Sequence, residues 1–259
     1  MISSTFHIIF YQPLYNALVF LVGVIPWHDV GIAVILLTLV VRGILFPLSH
    51  RSIITQRKMR EIEPEIKKTK EQFKKDRQEQ TKQVMALYKA HGISPSSGFF
   101  MLLIQLPILI ALYMVFSKGI GFNSADLYSF VKIPEIIQMK FLGLVEISKS
   151  NMFLAALAGL TQFIQMQLSV PKIKDSGSSS ASFQDQLART MNIQARYIMP
   201  GVIFFIALKF SSGIALYWTA MNIFAIVHEA IVAYRAKKIQ NHTMKYERGE
   251  TIGKHQNNN

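Results

Sequence analysis

The chain has 259 residues, 51% of them hydrophobic, with 28 Lys and Arg against 15 acids and no cysteine. Its apolar residues are gathered into runs of membrane-spanning length, at a mean hydropathy of +0.28, which marks an all-α, polytopic integral membrane protein. The lack of Cys excludes disulfides, haem attachment, iron–sulfur clusters, thiolate zinc sites and lipid-modified cysteine anchors, and the net charge of +13 informs mainly through its placement, because Lys and Arg beside span ends set orientation.

From Met1 to Gly31 there is no Lys or Arg, so the basic n-region of a cleavable signal peptide is missing and the N-terminus is expected to be translocated. Residues 1–29 form an external segment. Its apolar run Leu14 to Ile25 is bounded by Pro13 and Pro26, too short to span comfortably, and is predicted to lie in the outer interface as a helix. Trp27 and His28 mark the headgroup level.

Val30 to Leu48 is the first predicted span (residues 30–48), nineteen residues whose only ionisable side chain is Arg42. Arg42 lies six residues short of Leu48, roughly 9 Å of helix rise from the end of the run. A cation at that depth costs from ~2.5 to over 10 kcal/mol by different estimates. Either its stem snorkels to the headgroups, or it faces a watery cavity within the membrane.

Residues 49–98 are predicted to be a cytoplasmic, charged helical hairpin. Ser49 to Gly92 carries twelve Lys or Arg against six acids, a net +6, so the first span runs from outside to inside. The apolar positions Met59, Ile62, Ile66, Phe73, Val84 and Leu87 follow helical spacing and suggest a narrow seam. Pro64 suits a first helical turn, with Glu63 and Glu65 near its positive end. Such a hairpin is either a solvated charged element or a docking arm for a chain, a ribosome or a membrane surface.

The second span is predicted at residues 99–116, entered through a turn-like Gly92 to Gly98 stretch; it carries Gln105 two residues before Pro107, where a kink is expected. The mixed loop 117–151, with four Lys and three acids, reads as external. A third span at 152–168 crowds Gln162, Gln165 and Gln167 into its last turns, of which 162 and 165 share a face. Those amides either bond between helices or line a hydrated surface. Loop 169–196 is predicted to be cytoplasmic and mobile, with a Gly/Ser-rich linker from Asp175 to Ser182.

Residues 197–210 and 214–234 are the fourth and fifth predicted spans, joined by the turn Ser211-Ser212-Gly213. The fourth is short, which implies local bilayer thinning. The fifth holds Trp218 and Asn222 one turn apart, and His228 with Glu229 near its inner end, read as interfacial. The tail 235–259 carries six Lys or Arg against two Glu and is expected to be cytoplasmic and largely disordered. Five spans with the N-terminus outside and the C-terminus in the cytoplasm satisfy every charge asymmetry. There is no visible internal repeat, and no span holds an acid other than Glu229, which disfavours a repeat-built transporter and a pump. No phosphate loop, HExxH motif or nucleophile–base pairing is present, so the chain is predicted not to be an enzyme, with no cofactor and no metal. What remains is one cation, several amides and an indole on four spans, a set suited to hydrogen-bonding a peptide.

These residues resemble a known family, the YidC-type membrane protein insertases. The likeness rests on VVRGILFPL around Arg42, KMREIEPEIKK around Pro64, and MALYKAHGISPSSGFFMLLIQLPILIALY from Met85 to Tyr113. It continues through the amide-rich third span to SGIALYWTAMN from Ser212 to Asn222, covering roughly residues 10 to 235 in family order and spacing. The resemblance implies a five-helix core around a hydrophilic groove that opens to cytoplasm and lipid and is closed to the outside. On it, Arg42 falls on the groove arginine, and Gln105, Gln162, Gln165 and Trp218 fall on or near groove-lining positions; Asn222 joins them through its spacing to Trp218. It further implies the compact bacterial form in the cell's cytoplasmic membrane. The implied function is insertion and folding of single- and double-spanning membrane proteins. Implied partners are nascent membrane proteins, the ribosome held by the basic tail and loops, the Sec translocon and signal-recognition components, besides the lipid bilayer. The alternatives are a small transporter or anion channel using Arg42 as its selectivity charge, and an assembly factor that packs subunits without inserting them.

Overall fold

The computed structural model describes residues 4–94, 97–117, 124–170 and 189–256. The chain is an all-α integral membrane protein, with one two-stranded hairpin as its only sheet among the described residues. Helices α1 (Ser4–Val24), α7 (Met152–Ser169), α8 (Arg189–Lys209) and the segment Ser212–Ala236 of α9 (Ser212–Gln256) are each long and apolar enough to cross a membrane. The helices α2 (Val30–Ile44) and α3 (Phe46–Glu61) qualify together as one bent pair, and α6 (Ser97–Ser117) contributes the apolar stretch Leu103–Phe116. The Gly/Ser-rich linker lies outside the described residues.

Two prolines act differently from their sequence reading. Pro13 does not end the N-terminal helix: a π-helical turn over His7–Tyr11 precedes it, and Pro13 then occupies the first turn of the following α-helical stretch, where a missing N–H costs nothing. The apolar helix therefore reaches 21 residues, and the shortness that argued for an interfacial position does not hold. Its face of Tyr11, Tyr15, Leu18, Val19 and Val22 is buried against α2, α6 and loop 124–151.

Pro47, conversely, breaks the run that reads as one nineteen-residue span. Without an N–H it cannot bond the Gly43 carbonyl, and its ring crowds that turn. Helix α2 stops at Ile44, Leu45 takes φ −82° and ψ 0°, and α3 leaves at 69° to α2. With fifteen residues α2 is about 22 Å long, short of a ~30 Å hydrocarbon layer. Arg42 thus sits in the last turn of α2, at the negative end of its dipole.

Beyond the bend come α4 (Glu63–Gln72) and α5 (Arg77–Ala90), which pack on each other. Asp76 caps α5, accepting from Gln78 and Glu79 N–H at 2.9 and 3.0 Å. The seam between them is Ile62, Ile66 and Ile93, flanked by Met59, Val84, Leu87 and Tyr88. It is a second, small core separate from the membrane core. Phe73 lies at the turn and outside this seam, where its N–H bonds the Thr69 carbonyl at 3.1 Å.

Residues 124–151 fold over the N-terminal ends of α2 and α9. Asn16 on α1 donates to the Asp126 carbonyl at 2.9 Å and accepts from Tyr128 N–H at 2.7 Å. Gln138 N–H donates to His28 O, and its carbonyl accepts from Val30 N–H, at 3.0 and 3.1 Å. Farther on, Ser212 and Gly213 N–H donate to Lys149 O and Ile147 O at 2.7 and 3.1 Å. Between these anchors lie β1 (Lys140–Phe141) and β2 (Val145–Glu146), antiparallel, with Lys140 opposite Glu146. A Cβ on Gly31 would come within 2.4 Å of the Phe141 ring, so glycine there seats the hairpin on α2.

Helix α7 packs along α8 and α9 through small side chains, with Ala155, Ala158 and Ala215 fully buried. Within a membrane such close backbone approach replaces the hydrophobic drive that water supplies elsewhere. At Gly159 a Cβ would stand 3.0 Å from Phe204 Cβ. Helix α9 continues to Gln256, whereas the sequence suggested disorder after residue 234; its Lys, Arg, Gln, Glu and Met residues are good helix formers, and an anchored helix before them removes the nucleation penalty.

Candidate functional site

The bend after Ile44 decides where Arg42 can reach. Arg42 is half-buried, and it interacts electrostatically with Tyr217 and His228, both on α9. Tyr217 is buried, and its phenol accepts a hydrogen bond from the Gln105 amide on α6. Three helices thus bring a guanidinium, a phenol and an amide together. Among the described residues no carboxylate pairs with Arg42. A cation held near apolar helices without a counter-charge must be satisfied by water or by an incoming acceptor.

Toward the hairpin a second polar group follows. His50 on α3 and His228 on α9 share a ring-nitrogen hydrogen bond of 3.1 Å, and Phe46 stacks on His228 at 4.6 Å. Next, Arg60 Nη2 donates to Glu229 Oε1 at 2.6 Å, and Arg60 Nη1 donates to the Leu168 carbonyl at 2.9 Å. The other Glu229 oxygen accepts from Ser169 Oγ at 2.5 Å, and Ser169 in turn accepts from the Gln165 amide at 2.9 Å. This chain ties α3, α7 and α9 at the foot of the spans. A cleft of about 360 Å³ beside it is lined by Arg57, Arg60, Glu61, Glu229 and Val232.

The sequence-predicted residues therefore separate into groups. Arg42 and Gln105 converge through Tyr217. Gln165 belongs to the Arg60–Glu229 cluster, while Gln162, one turn earlier on the same face, is half-exposed with no hydrogen bond to the described residues. Trp218 is 8% exposed and packs in the membrane core. Asn222 is 2% exposed, and its amide points at α7, donating to Thr161 Oγ1 at 3.2 Å and the Ala158 carbonyl at 3.4 Å. Its neighbours make it an interhelical clamp. His228 and Glu229, expected to be interfacial, have partners on neighbouring helices: His50 on α3 for the first, Arg60 on α3 and Ser169 on α7 for the second.

Sequence reading missed Tyr217, Arg60 and His50. For Tyr217 and His228 a signal existed: with Phe224 they recur at i, i+7 and i+11, one helix face. Arg60 gave none, because its partner is 169 residues away.

Known proteins resemble the chain over most of its length. The family model described as 60Kd inner membrane protein matches residues 21–240. A membrane protein insertase YidC of Tolumonas auensis is 30% identical over 237 residues, 90% of this chain and 38% of that protein. The proteins of the same name from Psychromonas ingrahamii and Wolinella succinogenes are 29% identical over 226 residues and 30% over 202, covering 87% and 78% of this chain and 35% and 33% of theirs. The chain spans about a third of the length of these curated relatives. With a family match running from residue 21 to residue 240, the chain belongs to the 60Kd inner membrane protein family.

Proposed function

We propose that the chain is a membrane protein insertase and chaperone, easing single- and double-spanning proteins into the bilayer without a covalent step. The observation carrying this reading is Arg42, which interacts with the Tyr217 phenol that Gln105 hydrogen-bonds and which no carboxylate among the described residues neutralises. The physical task is desolvation. A polar or acidic client tail must cross ~30 Å of hydrocarbon in which each unpaired polar group costs several kcal/mol. A hydrated groove holding Arg42 and Gln105, with Gln162 and Gln165 toward the Arg60–Glu229 end and Trp218 in the packed wall behind it, would shorten the dry path and offer a counter-charge part-way along it. Asn222 supports that groove by fixing α9 to α7. The outer loop, hydrogen-bonded to the N-terminal ends of α2 and α9, is consistent with a groove closed outside and open to the cytoplasm and lipid.

In this reading the multi-pass chain sits in the bacterial cytoplasmic membrane with its N-terminus outside and its basic C-terminal helix inside. That helix and the α4–α5 hairpin attract ribosomal RNA phosphates, a salt-sensitive interaction. The Sec translocon and signal-recognition components are further proposed partners. Purified chain in vesicles is the test: the insertase reading expects client insertion without ion flux. Anion flux without insertion would favour a channel using Arg42.

A further inference from the structure

We propose that the Leu142–Leu144 turn is embedded among the acyl chains of the leaflet at the N-terminal end of α2, as a rigid lipid anchor for the loop over that end. The proposal needs only the membrane-spanning character of the chain, not the insertase reading.

Depth is fixed by Asp29. Its carboxylate caps α2 by accepting from Ile32 N–H at 3.0 Å and accepts from Leu142 N–H at 2.7 Å, so the turn stands beside the first residues of a span. Helix α7 begins on the same loop, and its first two residues, Met152 and Phe153, are 72% and 71% exposed. Trp27, just before α2, is 71% exposed. Tryptophan prefers this boundary between headgroups and hydrocarbon.

The turn itself is chemically wrong for water. Leu142 and Gly143 both have positive φ, +52° and +74°, and Leu144 N–H closes the turn on the Phe141 carbonyl at 2.9 Å. A hairpin turn of this kind in solvent favours Asn-Gly, since leucine is strained in the left-handed region. Here Leu142 is 61% and Leu144 84% exposed. One step back, Lys140 faces Glu146 across the strands. The hairpin is therefore apolar at its tip and charged at its base, the order of acyl chains and headgroups. The residues just before α2 and at the start of α7, Trp27, Met152 and Phe153, are exposed and apolar as well, which selects lipid over a separate apolar protein. Because the loop is pinned at Asp29, His28 and Ser212, little ordering entropy opposes insertion.

The full chain contains no cysteine, so single-cysteine nitroxide labels report cleanly. In phosphatidylcholine/phosphatidylglycerol vesicles, a label on Leu144→Cys should collide more with oxygen than with a water-soluble nickel chelate, and one on Glu146→Cys should show the reverse. Leu142→Asn suits the turn and should fold with an unchanged or higher thermal midpoint in detergent, yet abolish the oxygen preference at position 144. Nickel accessibility of the Leu144→Cys label would overturn the proposal. Protection from both reagents would also overturn it, since that is the pattern of a protein surface covering the turn.

Discussion

Arg60 and Glu229, 169 residues apart, form an ion pair of 2.6 Å between the helix that follows the bend and the last span. The carboxylate spends its second oxygen on Ser169, and the guanidinium its second arm on the Leu168 carbonyl. The pair thus sets how α3 lies relative to α7 and α9. Glu229→Gln is expected to lower stability in detergent by about 1–3 kcal/mol, below the ~3–5 of a fully buried pair because Arg60 keeps 28% of its side chain exposed. A double-mutant cycle with Arg60→Met, read by thermal unfolding, should give a favourable coupling. Additive effects would mean that the two side chains do not hold the helices together.

Asn222 is expected to behave as a clamp. Its amide is committed to Thr161 and Ala158, and hydrogen bonds between membrane helices contribute on average ~0.6 kcal/mol and at most ~1.7. Asn222→Ala should therefore cost about 1 kcal/mol, with Thr161→Val costing a similar, non-additive amount. Client crosslinking to Gln162→Cys should persist in both variants. Loss of crosslinking with unchanged stability would return Asn222 to the client surface.

Gly31 and Phe141 should be coupled sterically. Gly31→Ala puts a methyl group 2.4 Å from the ring and is expected to destabilise by ~1–3 kcal/mol through overpacking. Phe141→Leu, added to it, should restore part of the loss. The readout is protease cutting of loop 124–151 from the side of Glu135: faster in Gly31→Ala, slower again in the pair. Unchanged cutting in Gly31→Ala would show that the hairpin is not seated on α2.

The proposed orientation is open to the same cysteine-free background. Residues 1–31 carry no Lys or Arg, and Ser49 to Gly92 carries a net +6. In intact cells an impermeant thiol reagent should label Glu135→Cys and leave Gln80→Cys untouched until the membrane is opened. Labelling of Gln80→Cys in sealed cells would reverse the topology.

Sequence reading found what composition and periodicity encode: the apolar spans, the seam of Ile62, Ile66, Val84 and Leu87, and a cation that must be explained. Arg42 was legible because a charge inside an apolar run is costly and leaves only two readings, snorkelling or a watery cavity. The bend was not, although Pro47 lies in plain view, because hydropathy ignores backbone donors and treats proline in an apolar run as a minor interruption. Pro13 misled in the other direction, since a π turn absorbs it. Tyr217 looks like an ordinary interfacial aromatic until Gln105 and Arg42 are placed beside it. The Arg60–Glu229 pair and the Asp29 link to Leu142 join distant segments, and pairings of that kind leave no local period. The β1–β2 hairpin was invisible for a further reason: Leu142-Gly143 lacks the Asn-Gly signature by which such turns are read.

In the proposed function, Arg42 meets client carboxylates in water inside the membrane. Insertion of two matched clients, one with an acidic translocated tail and one with those acids neutralised, should be measured with Arg42→Ala and Arg42→Lys. The Lys variant is expected to retain much of the activity, because a hydrated charge needs no bidentate fork. The Ala variant is expected to fail chiefly on the acidic client. Normal insertion of the acidic client by Arg42→Ala would contradict charge attraction, leaving hydration and local bilayer thinning to account for insertion.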